Sequence, residues 1–126
     1  MTVVLDASAL LAYLLQEPGA EVVDGLLSEA RMTSMNWAEV VQKALSAGVE
    51  VQGMREELQA LGMQVEPFLA TDGECAGQLW PLTRQQGLSL GDRACLSLGL
   101  RLGLTVVTCD QAWAELPLEL EVQVLR

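Results

Sequence analysis

Two short apolar, β-branched runs stand near the two ends of the chain, and each leads into an aspartate. Thr2–Leu5 (TVVL) runs into Asp6, and Leu104–Val107 (LTVV) is followed closely by Asp110. An uninterrupted apolar run of this length, with no polar alternation, is what a strand covered on both faces requires. Such strands occur in sheets flanked by helices on both sides, which narrows the fold before any other residue is considered.

The residues between the two runs fit that arrangement. Helices are predicted over Ser8–Gln16, from Pro18 to about Ala30, from an Asn36 N-cap to a Gly48 stop, over Val51–Leu61, from Thr71 or Asp72 to Gln86, and over Leu90–Leu102. Pro81 predicts a kink or break in the fifth of these, because proline removes a helix donor and crowds the preceding turn. Further strands are predicted at Arg31–Met35, Met63–Phe68 and Val122–Leu125. Strands alternating with helices predict an α/β class, a three-layer α/β/α sandwich with a mostly parallel central sheet, built as one domain over residues 1–126.

Composition removes several kinds of chemistry. The chain contains no histidine, so neither a Cys/His zinc site nor a histidine-based catalytic triad is possible. Its three cysteines, Cys75, Cys95 and Cys109, are scattered and odd in number, which argues against a disulfide framework and for a reducing, cytoplasmic setting. The apolar N-terminus lacks a basic leader region, and Asp6 interrupts it where a signal peptide would be unbroken. Half of the residues are hydrophobic, which is enough for a packed core.

Carboxylates are what remains for chemistry. Seventeen acids oppose seven bases, a net charge of −10. A carboxylate beside an apolar strand is costly unless it is capped, paired or bound to a cation. In an open parallel sheet, ligands bind beyond the carboxyl ends of the strands, where Asp6 and Asp110 are both expected. Each also stands where a helix N-cap would. Glu39 lies in NWAEVV, opposite the face outlined by Trp37, Val40, Val41 and Ala44, and reads equally as the partner of Asn36 in a capping box or as a solvated acid. Asp92 opens an otherwise apolar helix, where the helix dipole favours an acid.

Three segments together resemble the PIN-domain family, in particular the VapC-type ribonuclease toxins of toxin–antitoxin pairs. They are VVLDASALLAYLLQEPGA, MNWAEVVQKAL and GLSLGDRACLSLGLRLGLTVVTCDQAW, and they span nearly the whole chain. The resemblance implies that Asp6, Glu39, Asp92 and Asp110 hold Mg²⁺ or Mn²⁺, directly or through water. It implies that the hydroxyls of Ser8 and Thr108 orient Asp6, with Asn36 and Arg93 as neighbours. The implied activity is hydrolysis of RNA phosphodiesters by a water activated on the metal, with transfer or ribosomal RNA as substrate. The implied partners are a second copy of the chain and a small antitoxin protein.

The charge runs against that implication. Setting the four acids aside still leaves 13 acids against seven bases, whereas nucleic-acid binding draws on phosphate contacts from cations. An alternative is a PIN-like module that binds protein or RNA without catalysis. A phosphoryl-transfer receiver domain is a third class, suggested by Asp6-x-Ser8. Such a site needs a lysine after a later strand, and the only lysine, Lys43, lies in a predicted helix.

Overall fold

Val3, Val4 and Leu5 expose no surface at all, and they form the central strand of the sheet. The computed structural model describes all residues, 1–126. Five strands, β1 (Val3–Leu5), β2 (Ala30–Thr33), β3 (Gln64–Glu66), β4 (Thr105–Thr108) and β5 (Val122–Val124), lie in the order β3-β2-β1-β4-β5, and every neighbouring pair is parallel. The seven α-helices are α1 (Ala7–Leu14), α2 (Ala20–Leu26), α3 (Ser34–Ser46), α4 (Met54–Ala60), α5 (Ala70–Gln78), α6 (Trp80–Thr83) and α7 (Leu90–Leu102).

Side-chain alternation along β1 divides the core in two. Val3 and Leu5 face a cluster containing Leu10, Val23, Met32, Val40 and Leu58, which brings α1 to α4 onto one side. Val4 faces the other side, with Leu96, Leu98, Val106 and Trp113 under α7 and the 3₁₀ turn Gln111–Glu115. The predicted three-layer sandwich is therefore present, and its sheet is wholly parallel. Fully burying side chains of this kind contributes about 1.5–3 kcal/mol each, so the β1 triplet is a major source of cohesion.

Several element boundaries differ from those expected. The third helix begins at Ser34, with Thr33 as its cap, so β2 ends before Met35 and Asn36 lies inside the helix. Thr33 wins because its hydroxyl accepts from the Asn36 N–H at 2.9 Å. The second predicted helix starts after Pro18, at Ala20, and gives way to a 3₁₀ turn, Leu27–Glu29. The fourth starts at Met54, because Gly53 takes a left-handed φ of 78° that no helix continues. Asp72 is not the cap of α5 but lies within its first turn, accepting from the Leu69 N–H at 2.8 Å. Pro81 breaks the long helix as expected, separating α5 from the single turn α6.

The order of strands fixes where a ligand can enter. From β1 the chain proceeds outward through β2 and β3, then returns across β1 to build β4 and β5 on its far side. The crevice at this reversal opens beyond the carboxyl ends of β1 and β4, and Leu5 and Val107 are register partners there.

Close contact between α7 and β4 depends on a glycine. A Cβ at Gly99 would stand 2.5 Å from Val106 Cγ2 and 3.2 Å from Leu120 Cδ1. Gly99→Ala is expected to lower stability by about 1–3 kcal/mol, since overpacking forces the helix off the sheet. A thermal melt equal to or above that of the wild type would contradict this contact.

Candidate metal centre at the carboxyl edge of the sheet

Asp6 follows β1 directly and extends its ladder, its N–H donating to the Val107 carbonyl at 3.0 Å. The side chain turns inward and is only 5% exposed. Oδ1 accepts from the Ala9 N–H at 2.8 Å, which makes Asp6 the cap of α1, and from Ser8 Oγ at 2.7 Å. Oδ2 accepts from Thr108 Oγ1 at 2.5 Å. The two hydroxyls are fixed in turn by the strand-end backbone: Ser8 Oγ accepts from the Cys109 N–H, and Thr108 Oγ1 from the Asp110 N–H. Burial raises the Asp6 pKa from 3.8 to about 6; the three hydrogen bonds oppose the rise, and the charge of Asp92 adds to it.

Asp92 and Glu39 approach from the helices. Ser89 caps α7, and the Asp92 carboxylate closes a capping box by accepting from the Ser89 N–H at 2.9 Å through Oδ2. Glu39 sits half-buried on α3. Its neighbour on the same helix face, Asn36, is 1% exposed and uses its whole amide. Asn36 Oδ1 accepts from the Thr33 hydroxyl at 2.6 Å, and Nδ2 donates to Glu39 Oε1 at 2.7 Å and to the Gly91 carbonyl at 2.9 Å. The expected Asn36–Glu39 capping box is thus a side-chain bridge that pins Glu39 against the start of α7. Gly91 makes room for it, since a Cβ there would lie 2.7 Å from Glu39 Oε1.

Asp6, Asp92 and Glu39 all act electrostatically on Cys95, one turn below Asp92. This thiol has no exposed surface; burial pushes its pKa well above the ordinary thiol value, and the charges of Asp6, Asp92 and Glu39 push it further. Three of the four acids expected from the sequence therefore share one electrostatic field.

Asp110 is placed differently. It lies at the same edge, two residues past the end of β4, but its carboxylate is exposed and caps the 3₁₀ turn, Oδ1 accepting from the Ala112 N–H at 2.9 Å. Arg93 turns away to the Leu88 carbonyl at 3.2 Å. Sequence reasoning missed the bridging part of Asn36, the need for Gly91 and the thiol at Cys95. Asn36 precedes Glu39 by one helical turn and Gly91 directly precedes Asp92, and those spacings were the available signals.

The donor set is carboxylate oxygen, the hard type that suits Mg²⁺ or Mn²⁺. No three acids close into a ligand cage by themselves. Mg²⁺ does not require a cage, because it binds through one or two carboxylates and keeps several waters. The residues fit a hydrated cation shared between the buried Asp6 and its neighbours Asp92 and Glu39.

Comparison with known proteins agrees with this fold. A family model described as PIN domain matches residues 3–118. No curated protein matches the sequence. Among solved structures, the chain is similar to a toxin–antitoxin complex from Klebsiella pneumoniae, with 17% identity, a TM-score of 0.77, and coverage of 99% of this chain and 98% of the other. It is also similar to VapBC2 from Rickettsia felis bound to a promoter DNA fragment, at 16% identity and a TM-score of 0.69 with both chains fully covered. VapBC-1 from nontypeable Haemophilus influenzae gives 22% identity and a TM-score of 0.65, covering 99% of this chain and 98% of the other. Likenesses at such identities concern the fold.

The raised Asp6 pKa has a consequence for stability. Between about pH 4 and pH 6 the native state holds a proton that the unfolded chain has released, so stability falls as pH rises through that window. The ionised group then costs the metal-free fold up to about 3 kcal/mol near neutrality. Asp6→Asn is expected to flatten this slope and to raise the metal-free melting temperature above pH 7; an unchanged profile of melting temperature against pH would refute it. Gly91→Ala is expected to melt close to wild type, because Glu39 can swing aside, while weakening Mn²⁺ binding by roughly tenfold in a titration. Unaltered Mn²⁺ affinity would remove Glu39 from the site.

Proposed function

The chain belongs to the PIN-domain family of nucleases, its family model matching residues 3–118, and on that premise we propose that it is a Mg²⁺- or Mn²⁺-dependent endoribonuclease acting as the toxin of a toxin–antitoxin pair. The observation that carries this reading is the buried Asp6 carboxylate at the β1/β4 crevice, in the field of Asp92 and beside the side-chain bridge that fixes Glu39. The Asp92 charge disfavours ionisation of the buried Asp6, and a divalent cation between them would offset that cost. Toxin–antitoxin complexes among the similar folds support a small antitoxin protein as partner. A homodimer and a cytoplasmic setting belong to the same proposal. No helix is long and apolar enough to cross a membrane.

In this proposal the protein's own groups provide position and electrostatics. Asp6, held at both oxygens by Ser8, Ala9 and Thr108, keeps one orientation without needing a ligand to set it. Asp92 uses Oδ2 for its capping box, and Glu39 is held through Oε1, so each retains an oxygen outside these bonds. Asp110, exposed at the same edge, is assigned a contact to the cation's hydration shell. A divalent ion bound there supplies an acidified water and neutralises charge on the phosphate. The Ser8 and Thr108 hydroxyls keep the strand ends, and so the carboxylates, from shifting as substrate enters.

The test is cleavage of a mixed small-RNA pool by the purified protein with Mn²⁺ or Mg²⁺, against EDTA and Asp92→Asn. Cleavage is expected to need the metal and to fall roughly a hundredfold or more in the variant. RNA that is bound but left intact under every divalent cation would favour the non-catalytic binding module.

A further inference from the structure

An acidic ribonuclease has to meet a polyanion with few cations, and the structure shows which are already engaged. Arg31 pairs with Glu66, Arg55 with Glu56 and Arg101 with Asp72. Arg84 lies over the Trp80 ring, and Arg93 donates to the Leu88 carbonyl. Arg126 donates to the Pro18 carbonyl at 3.2 Å and reaches Glu17 at 3.4 Å. Lys43 is the one basic side chain that no carboxylate, ring or carbonyl engages.

Lys43 lies in the last turn of α3, where the helix dipole favours a cation. That accounts for a positive residue in this turn but not for what it lines. Lys43 faces a cleft of about 350 Å³ between α1 and α3, together with Ser8, Leu11, Leu15, Ser46 and Arg126. Ser8 links the cleft to the candidate metal centre, since this lining residue donates its hydroxyl to Asp6 at 2.7 Å. The cleft therefore lies one hydrogen bond removed from Asp6, at Ser8, and the free ammonium lines it as well. Glu17 also lines it, but that carboxylate is turned to Arg126, which offsets its charge.

We propose that this cleft is the path of the RNA strand leaving the metal centre, with Lys43 contacting a backbone phosphate and Arg126, anchored by Glu17 and Pro18, forming the far wall. The inference rests on the nuclease reading above and adds to it the side from which the strand runs. Leu11 and Leu15 give the cleft an apolar part against which a sugar or base can pack without demanding sequence. An ammonium is a compact point charge suited to a single phosphate rather than to reading a base edge. Lys43 should accordingly add affinity and salt dependence without adding sequence preference.

The experiment is fluorescence anisotropy of a labelled, mixed-sequence single-stranded RNA of roughly 15 nucleotides, over a series of salt concentrations with Mg²⁺ present. Every arm carries Asp92→Asn so that the strand stays intact. Adding Lys43→Gln is expected to weaken binding roughly three- to tenfold and to reduce the slope of log affinity against log salt by about 0.7, the value for one lost single-strand phosphate contact. Lys43→Arg should restore both. Arg55→Gln, which removes an exposed cation outside the cleft, should leave the slope unchanged. Equal slopes with and without Lys43, while RNA still binds, would overturn the path and assign the cleft to protein contacts, leaving the nuclease reading intact. The same loss in Arg55→Gln as in Lys43→Gln would overturn it as a general charge effect. Absence of RNA binding by the parent, tested also without Asp92→Asn, would overturn the RNA reading and this inference together.

Discussion

The structure turns on one buried carboxylate. Asp6 ends the central strand, continues its backbone ladder to Val107, caps α1 and receives the Thr108 hydroxyl from the neighbouring strand. Those bonds tie β1, β4 and α1 at one point, and that point is the crevice where the strand order reverses. Ionising a group so little exposed is unfavourable, and the hydrogen bonds only partly compensate. The fold therefore keeps at its centre a group whose ionisation is unfavourable by itself; in the proposed function a cation would stabilise that charge and couple the β1/β4 junction to metal binding.

The capping role of the site's acids leaves the proposed metal-binding role open. Asp6, Asp92 and Asp110 are all caps or members of a capping box, and each satisfies backbone donors that would otherwise be exposed. A carboxylate has two oxygens and about four acceptor sites, so a cap leaves acceptor capacity for a ligand. The capping bonds also fix the rotamers of the acids, as a preorganised site requires. Asn36 does for Glu39 what backbone caps do for the aspartates, through a fully satisfied side-chain amide bridging α3 and α7.

Much of the fold was legible because burial on both faces leaves a plain mark. The TVVL and LTVV runs lie in β1 and β4, the helix over Leu90–Leu102 is α7, and the break at Pro81 falls between α5 and α6. The errors cluster at helix starts. Thr33 displaced Asn36 as a cap because Asn36 was engaged across the gap to α7, a contact 55 residues away in sequence that no local pattern records. The start of α4 was missed because the propensity of Val51 and Gln52 says nothing about the left-handed turn at Gly53.

By itself the sequence determined the layers and ruled out histidine-based chemistry, because strand burial, helical spacing and residue inventory are local properties. Only the tertiary structure decided which acids share a field. Parallel pairing of β1 with β4 brought the Thr108 hydroxyl to Asp6, and packing of α3 on α7 put Glu39 against Gly91. It also decided that Asp110 faces solvent, that six of seven cations are engaged, and that the free one, Lys43, lines the cleft next to Ser8. Electrostatic coupling depends on distance through space and on burial, and a linear chain states neither until it has folded.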